Sequence, residues 1–163
     1  MKKLYLLTLL TLSSLSFGQD LLSNGGFEGL STGNLSTVST PWSTSNTAAP
    51  LPAISSTGSR SGSNNLLLPN DFVPFRQSFT AVAGTTYTLT LYALFTNATM
   101  PSSTDGISVS IRDNSGGNGT AFAPNRVFYI TPTASAAGYI KYTYTFVAPQ
   151  TNLILYVFKK FRF

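Results

Sequence analysis

Apolar and polar side chains alternate along three separate stretches of this chain. From Thr86 to Phe95 the apolar positions are Tyr87, Leu89, Leu91, Ala93 and Phe95, with Thr86, Thr88, Thr90 and Tyr92 between them. Ile107, Val109 and Ile111 alternate with Ser108, Ser110 and Arg112, and Ile140, Tyr142, Tyr144 and Phe146 alternate with Lys141, Thr143 and Thr145. A period of two marks a strand that buries one face. The β-branched and aromatic residues in these runs suit a pleated surface, because their restricted rotamers lose little on packing there. Turn formers separate the runs at Pro69-Asn70-Asp71, Asp105-Gly106, Asn114 to Gly119 and Ala134 to Gly138. No helical periodicity follows the first 19 residues. One-sided strands must close their apolar faces on one another, which predicts an all-β fold, a two-sheet antiparallel β-sandwich.

The N-terminus reads differently. Met1-Lys2-Lys3, the apolar run Leu4 to Leu15 and the exit near Phe17-Gly18-Gln19 have the layout of a secretory signal peptide. That run is too short for a stable bilayer anchor. Residues 1–19 are therefore expected to be a leader and residues 20–163 one β-sandwich domain, secreted or held at the cell surface. The chain has no Cys, which excludes disulfides, thiolate zinc sites, a lipid-anchored Cys and thiol nucleophiles.

Charge narrows the partners. Only 9% of residues are charged, so a surface rich in Ser, Thr, Gly and Asn favours neutral ligands. The formal charge of +5 includes Lys2 and Lys3 of the leader, and Lys159, Lys160 and Arg162 cluster at the end. Nucleic acid would call for a basic stripe along the domain, which is absent. With no His and no Cys the usual nucleophilic triads are excluded. Asp20, Glu28, Asp71, Asp105 and Asp113 show no spacing that suggests a glycosidase pair.

Several short motifs occur in a telling order. Asn24-Gly25-Gly26-Phe27-Glu28 is followed by Trp42, by Ser61-Gly62 ahead of Leu66-Leu67-Leu68, by Arg76-Gln77-Ser78-Phe79 leading into Ala83-Gly84-Thr85-Thr86-Tyr87, and by Tyr139 to Pro149. From Leu21 to about Phe158 this order resembles carbohydrate-binding module family 4/9, whose members are secreted jelly-roll domains. The Ser- and Thr-rich tract from Ser31 to Ser63 then reads as long loops of one domain. The chain departs from the family at its end: Phe158-Lys159-Lys160-Phe161-Arg162-Phe163 stands where paired acids are expected, and no carboxylate follows Asp113. The final strand is missing, or the tail replaces it; a truncated or frame-shifted reading frame would leave such an ending.

The resemblance implies a structural calcium ion held by Glu28 and by Asn24 near the N-terminal strand, at a site weakened by the missing terminal acid. Sugar recognition needs flat aromatic faces flanked by hydrogen-bonding side chains. The candidates are Tyr92 and Arg112, large residues on polar strand faces, together with Trp42, Tyr139, Arg76 and Gln77. Trp42 has a competing reading as a core plug, and Arg76 as a partner of Asp71. The expected function is non-catalytic binding of a polysaccharide such as a xylan or a glucan. The alternative is a structural or adhesive surface domain with a protein partner or with no small ligand. The sequence leaves the oligomeric state open.

Overall fold

The computed structural model describes residues 20–38, 40–44, 50–68, 73–95, 106–114, 127–130 and 138–160. The leader, Asp71, Asp105 and most of the turn tracts lie outside these residues. Among the described residues the chain forms nine strands. They are β1 (Gly33–Asn34), β2 (Ala53–Ser55), β3 (Asn65–Leu67), β4 (Phe75–Thr80), β5 (Thr86–Ala93), β6 (Gly106–Asp113), β7 (Val127–Ile130), β8 (Ile140–Val147) and β9 (Asn152–Lys160). The three alternating stretches of the sequence are β5, β6 and β8.

The strands pair antiparallel into an all-β sandwich. One layer is a four-stranded sheet in the order β4-β9-β6-β7, β5 pairs with β8, and β1-β2-β3 form a small third sheet. Phe158, Lys159 and Lys160 continue β9, paired with Ser108, Ile107 and Gly106. β9 is thus interior to its sheet, between β4 and β6.

Register decides which side chains face inward. On β5 and β8, Tyr87 is opposite Phe146, Leu89 opposite Tyr144 and Leu91 opposite Tyr142. On the four-stranded sheet, Leu155 is opposite both Gln77 and Ile111, and Val157 opposite both Phe75 and Val109. Val109, Ile111, Ile130 and Leu153 have essentially no exposure. Each such side chain contributes roughly 1.5–3 kcal/mol on burial, which in a chain without disulfides has to supply most of the stability. Phe128 of β7 stacks on Tyr144 of β8 at 4.3 Å and joins the two layers.

The turn into β5 shows why Gly84 is needed. Thr85 N–H donates to Val82 C=O at 3.1 Å, and Gly84 between them has φ +80°. That is the third position of a type II turn, where a Cβ would be strained. Gly84 N–H also donates to Ala148 C=O at 2.8 Å, which fixes the turn to the far end of β8.

Candidate functional site

The two layers present very different outer faces. On the four-stranded sheet, alternation turns Arg76 and Ser78 of β4, Ile154, Tyr156 and Phe158 of β9, Ser108, Ser110 and Arg112 of β6, and Tyr129 of β7 outward. Arg76 and Ser110 both pair with Tyr156, and Ser108 pairs with Tyr129 and Phe158. The guanidinium of Arg112 lies over the Tyr156 ring, 3.7 Å from its centroid. Its Nε donates to Ser110 Oγ at 3.0 Å, which helps hold the guanidinium over the ring. Tyr156 meets Phe158 edge to face at 5.9 Å. Ser108 and Ser110 are buried between these larger groups, whereas Tyr129 at the sheet edge is 60% exposed. The result is a row of hydroxyls bordered by aromatic rings and a planar cation.

The outer face of β5 and β8 is a ladder of threonines. Thr88 is opposite Thr145 and Thr90 opposite Thr143. At one end Tyr92 is opposite Lys141, and the guanidinium of Arg60 lies over the Tyr92 ring at 3.8 Å. Tyr139, just before β8, is tied into the loop that carries Arg60. Its hydroxyl donates to Gly58 C=O at 2.8 Å and accepts from Asn65 Nδ2 at 3.2 Å. Asn65 Nδ2 also donates to Thr57 C=O, while Asn65 Oδ1 is buried without a hydrogen bond.

Two residues expected at a ligand surface instead hold the fold. Trp42 is 4% exposed. Its ring packs against Phe27 at 5.4 Å and Phe75 at 5.3 Å, and its Nε1 donates to Asn24 C=O at 2.9 Å. Of the two readings of this residue, the core plug matches its placement, and no ring face is open to a sugar. The neighbouring Ser43 bridges to Arg76 through a reciprocal backbone pair at 2.9 and 2.8 Å, which sets Trp42 inward against β4. Gln77 is on the inward face of β4 and is likewise buried. Its amide accepts from Ser23 N–H at 2.7 Å and donates to Ser23 C=O at 2.8 Å, clamping the N-terminal segment as a strand neighbour would. Arg76 remains on the outer face, with Nε 3.4 Å from Ser43 Oγ; its other expected partner, Asp71, lies outside the described residues.

The Glu28 carboxylate, expected at a calcium site, is engaged by backbone N–H groups. Calcium takes roughly six to eight oxygens aimed at one point. The Glu28 carboxylate instead accepts the Ser63 N–H at 2.9 Å and the Asn64 N–H at 3.2 Å. Asn24 Nδ2 donates to Glu28 C=O, and Asn64 Nδ2 donates to the carbonyls of Phe27 and Leu30. Protein donors thus take part of the acceptor capacity of these oxygens. No group of three His, Cys, Asp or Glu residues that would hold a metal occurs among the described residues. Gly62, with φ +69°, lies so close to Glu28 that a Cβ there would collide with the carboxylate. Phe27 itself has φ +61°, an unusual conformation for a bulky residue, over-determined here by the ring contacts and by its N–H bond to Asn24 C=O.

Of the sequence candidates, the structure therefore brings Arg112 and Arg76 together on one face, and Tyr92 and Tyr139 near the opposite one. Tyr156, Ser108, Ser110, Tyr129 and Arg60 were not among them. Tyr156 hides in a strand that is apolar on both faces, and Arg60 in a Ser- and Gly-rich tract that looks featureless. A cavity of about 380 Å³ opens between the layers beside Leu21 and Leu22, lined by Phe79, Tyr87, Leu89 and Phe146. Asp20, Thr88 and Thr90 are the polar residues of an otherwise apolar lining.

Comparison with known proteins shows the fold. No family model and no curated protein matches the chain. Among solved structures it is similar to the N-terminal CBM22-1–CBM22-2 tandem domain of Paenibacillus barcinonensis Xyn10C, with a TM-score of 0.53 and 16% identity. The match covers 89% of this chain and 42% of that one. The β-sandwich is therefore shared with carbohydrate-binding modules of family 22, and a specific tie to family 4/9 has no counterpart in these comparisons.

Proposed function

We propose that this chain binds polysaccharide without cleaving it, on the outer face of the four-stranded sheet. The observation that carries this reading is the Arg112 guanidinium held over Tyr156 on the same face as the exposed ring of Tyr129. A pyranose has an apolar face and an equatorial rim of hydroxyls, which the exposed Tyr129 ring and the part-exposed Arg112 guanidinium complement, while buried Ser110 holds Arg112 in place. Neutral xylan or glucan suits a domain with so few charges, and likeness to the CBM22 tandem supports a polysaccharide of this kind. Secretion, or display at the cell surface, is the compartment in which such a ligand would be met. No helix among the described residues is long and apolar enough to cross a membrane.

Affinity electrophoresis of the chain through gels containing soluble xylan or glucan tests the reading. Retardation by one polymer that is lost in Tyr129→Ala is the expected outcome. No retardation by a folded chain would contradict the proposal and favour a structural domain.

A further inference from the structure

We propose that Arg60, Tyr92 and Lys141 form a second saccharide site on the opposite face, selective for sugars that carry a negative group, a carboxylate or a sulfate. It goes beyond the neutral-polysaccharide reading and does not depend on it.

Three observations converge. Tyr92 is the aromatic residue on an outward row that is otherwise Thr86, Thr88 and Thr90, and it is 40% exposed. Nothing in the core demands a ring there. Lys141 is its direct cross-strand neighbour, and the Arg60 guanidinium lies 3.8 Å from its ring centroid. Directly opposite residues have Cβ atoms roughly 4.5–5.5 Å apart, so Lys141 springs from beside the ring that Arg60 covers. The remaining outward residues of β5 and β8 are threonines and Val147, so these two strands present no acid on this face. Glu28, whose carboxylate reaches the loop bearing Arg60, is turned to the backbone N–H groups of Ser63 and Asn64.

The loop that carries Arg60 is also held in place. Tyr139 bonds to Gly58 C=O and to Asn65, and the Glu28 carboxylate grips the other side of the same loop, so residues 58–64 are tethered at both ends. A guanidinium fixed on a ring loses little freedom when it pairs a carboxylate or sulfate. A fixed guanidinium and a neighbouring ammonium beside an aromatic ring complement an acidic sugar, and a neutral chain would leave both cations without a counter-charge.

The test is affinity electrophoresis of the full chain against polygalacturonate, a sulfated galactan and a neutral arabinoxylan. The acidic polymer that is recognised should retard the protein more than the neutral one, and added salt should weaken that retardation. Which polymer acts distinguishes carboxylate from sulfate. Arg60→Ala and Lys141→Ala should each weaken acidic binding about tenfold, as expected for loss of a charged hydrogen-bonding partner. Tyr92→Ala and Arg60→Lys keep the charge and should still lose most of the binding, whereas general attraction to a basic protein would persist in both. Tyr129→Ala should leave acidic binding intact. Retardation by acidic polymers no greater than by the neutral one, or unchanged in Tyr92→Ala, would overturn the proposal. Failure of neutral binding alone would leave this site standing and would count against the four-stranded face only.

Discussion

The outer face of β5 and β8 and the outer face of the four-stranded sheet are built from the same alternation but are packed very differently. On the first, outward positions are exposed threonines, and each contributes little beyond cross-strand contact. On the second, outward positions are themselves covered: Ile154 and Tyr156 of β9 and Ser108 and Ser110 of β6 are buried. A face that merely meets water can be filled by any β-former. A face whose polar groups are buried among rings and a guanidinium has fixed geometry, and fixed geometry is what recognition of a wet, hydroxyl-rich ligand requires.

The sharpest way to break this contrast is to delete one ring from each face. Tyr156→Ala removes a buried side chain and should cost about 3–5 kcal/mol. Tyr92→Ala, half exposed at the end of the threonine ladder, should cost no more than about 1 kcal/mol. Urea denaturation of the two variants measures both, and equal losses would erase the distinction.

A smaller effect is expected where neither face is touched. Glu28→Gln keeps the shape but puts an amide where a carboxylate accepts two backbone N–H groups, and should destabilise by about 1–3 kcal/mol. Because backbone N–H groups already hold this carboxylate, chelator should leave the wild-type midpoint unchanged. A midpoint that falls with chelator and recovers with added calcium would show that this region rearranges to take the ion.

Smaller still is the stability cost of Tyr129→Ala, an exposed edge position, expected within about 0.5 kcal/mol. Its binding loss should nonetheless be about tenfold, near 1.4 kcal/mol. Stability and affinity thus separate at Tyr129, whereas at Tyr156 they fall together.

The inward rings provide the weakest test. Burial pushes the Tyr142 and Tyr144 hydroxyls above their usual pKa of 10.0, and Tyr144 is raised further by Tyr142. Both are neutral in the fold, so the unfolded chain releases these protons first. Their contribution is present in full below pH 10 and is lost as pH rises past 10 through the raised values. Alkaline unfolding followed by tyrosinate absorbance should therefore begin above pH 10.

Much of the fold was legible because burial on one side writes itself as a period of two. β5, β6 and β8 follow the alternation residue by residue. The same signal located the site only in part. Tyr92 and Arg112 stand out as large side chains on polar rows, but periodicity does not say which sheet a strand joins, so it could not show that they face opposite ways. β9 was opaque for a different reason. Leu153, Leu155 and Val157 point inward while Ile154, Tyr156 and Phe158 point outward, and a strand apolar on both faces resembles pure core. Gln77 misled in the reverse sense, a polar residue on an inward row, because its amide replaces a missing strand neighbour for Ser23.

The measurement closest to the central claim is an NMR titration of the chain with the neutral xylo- or gluco-oligosaccharide matching the polymer that retards it. Shifts concentrated on Ser108, Ser110, Arg112, Tyr129 and Tyr156, with β5 unmoved, are the expected result. Shifts confined to the threonine face, or none at saturating sugar, would contradict it.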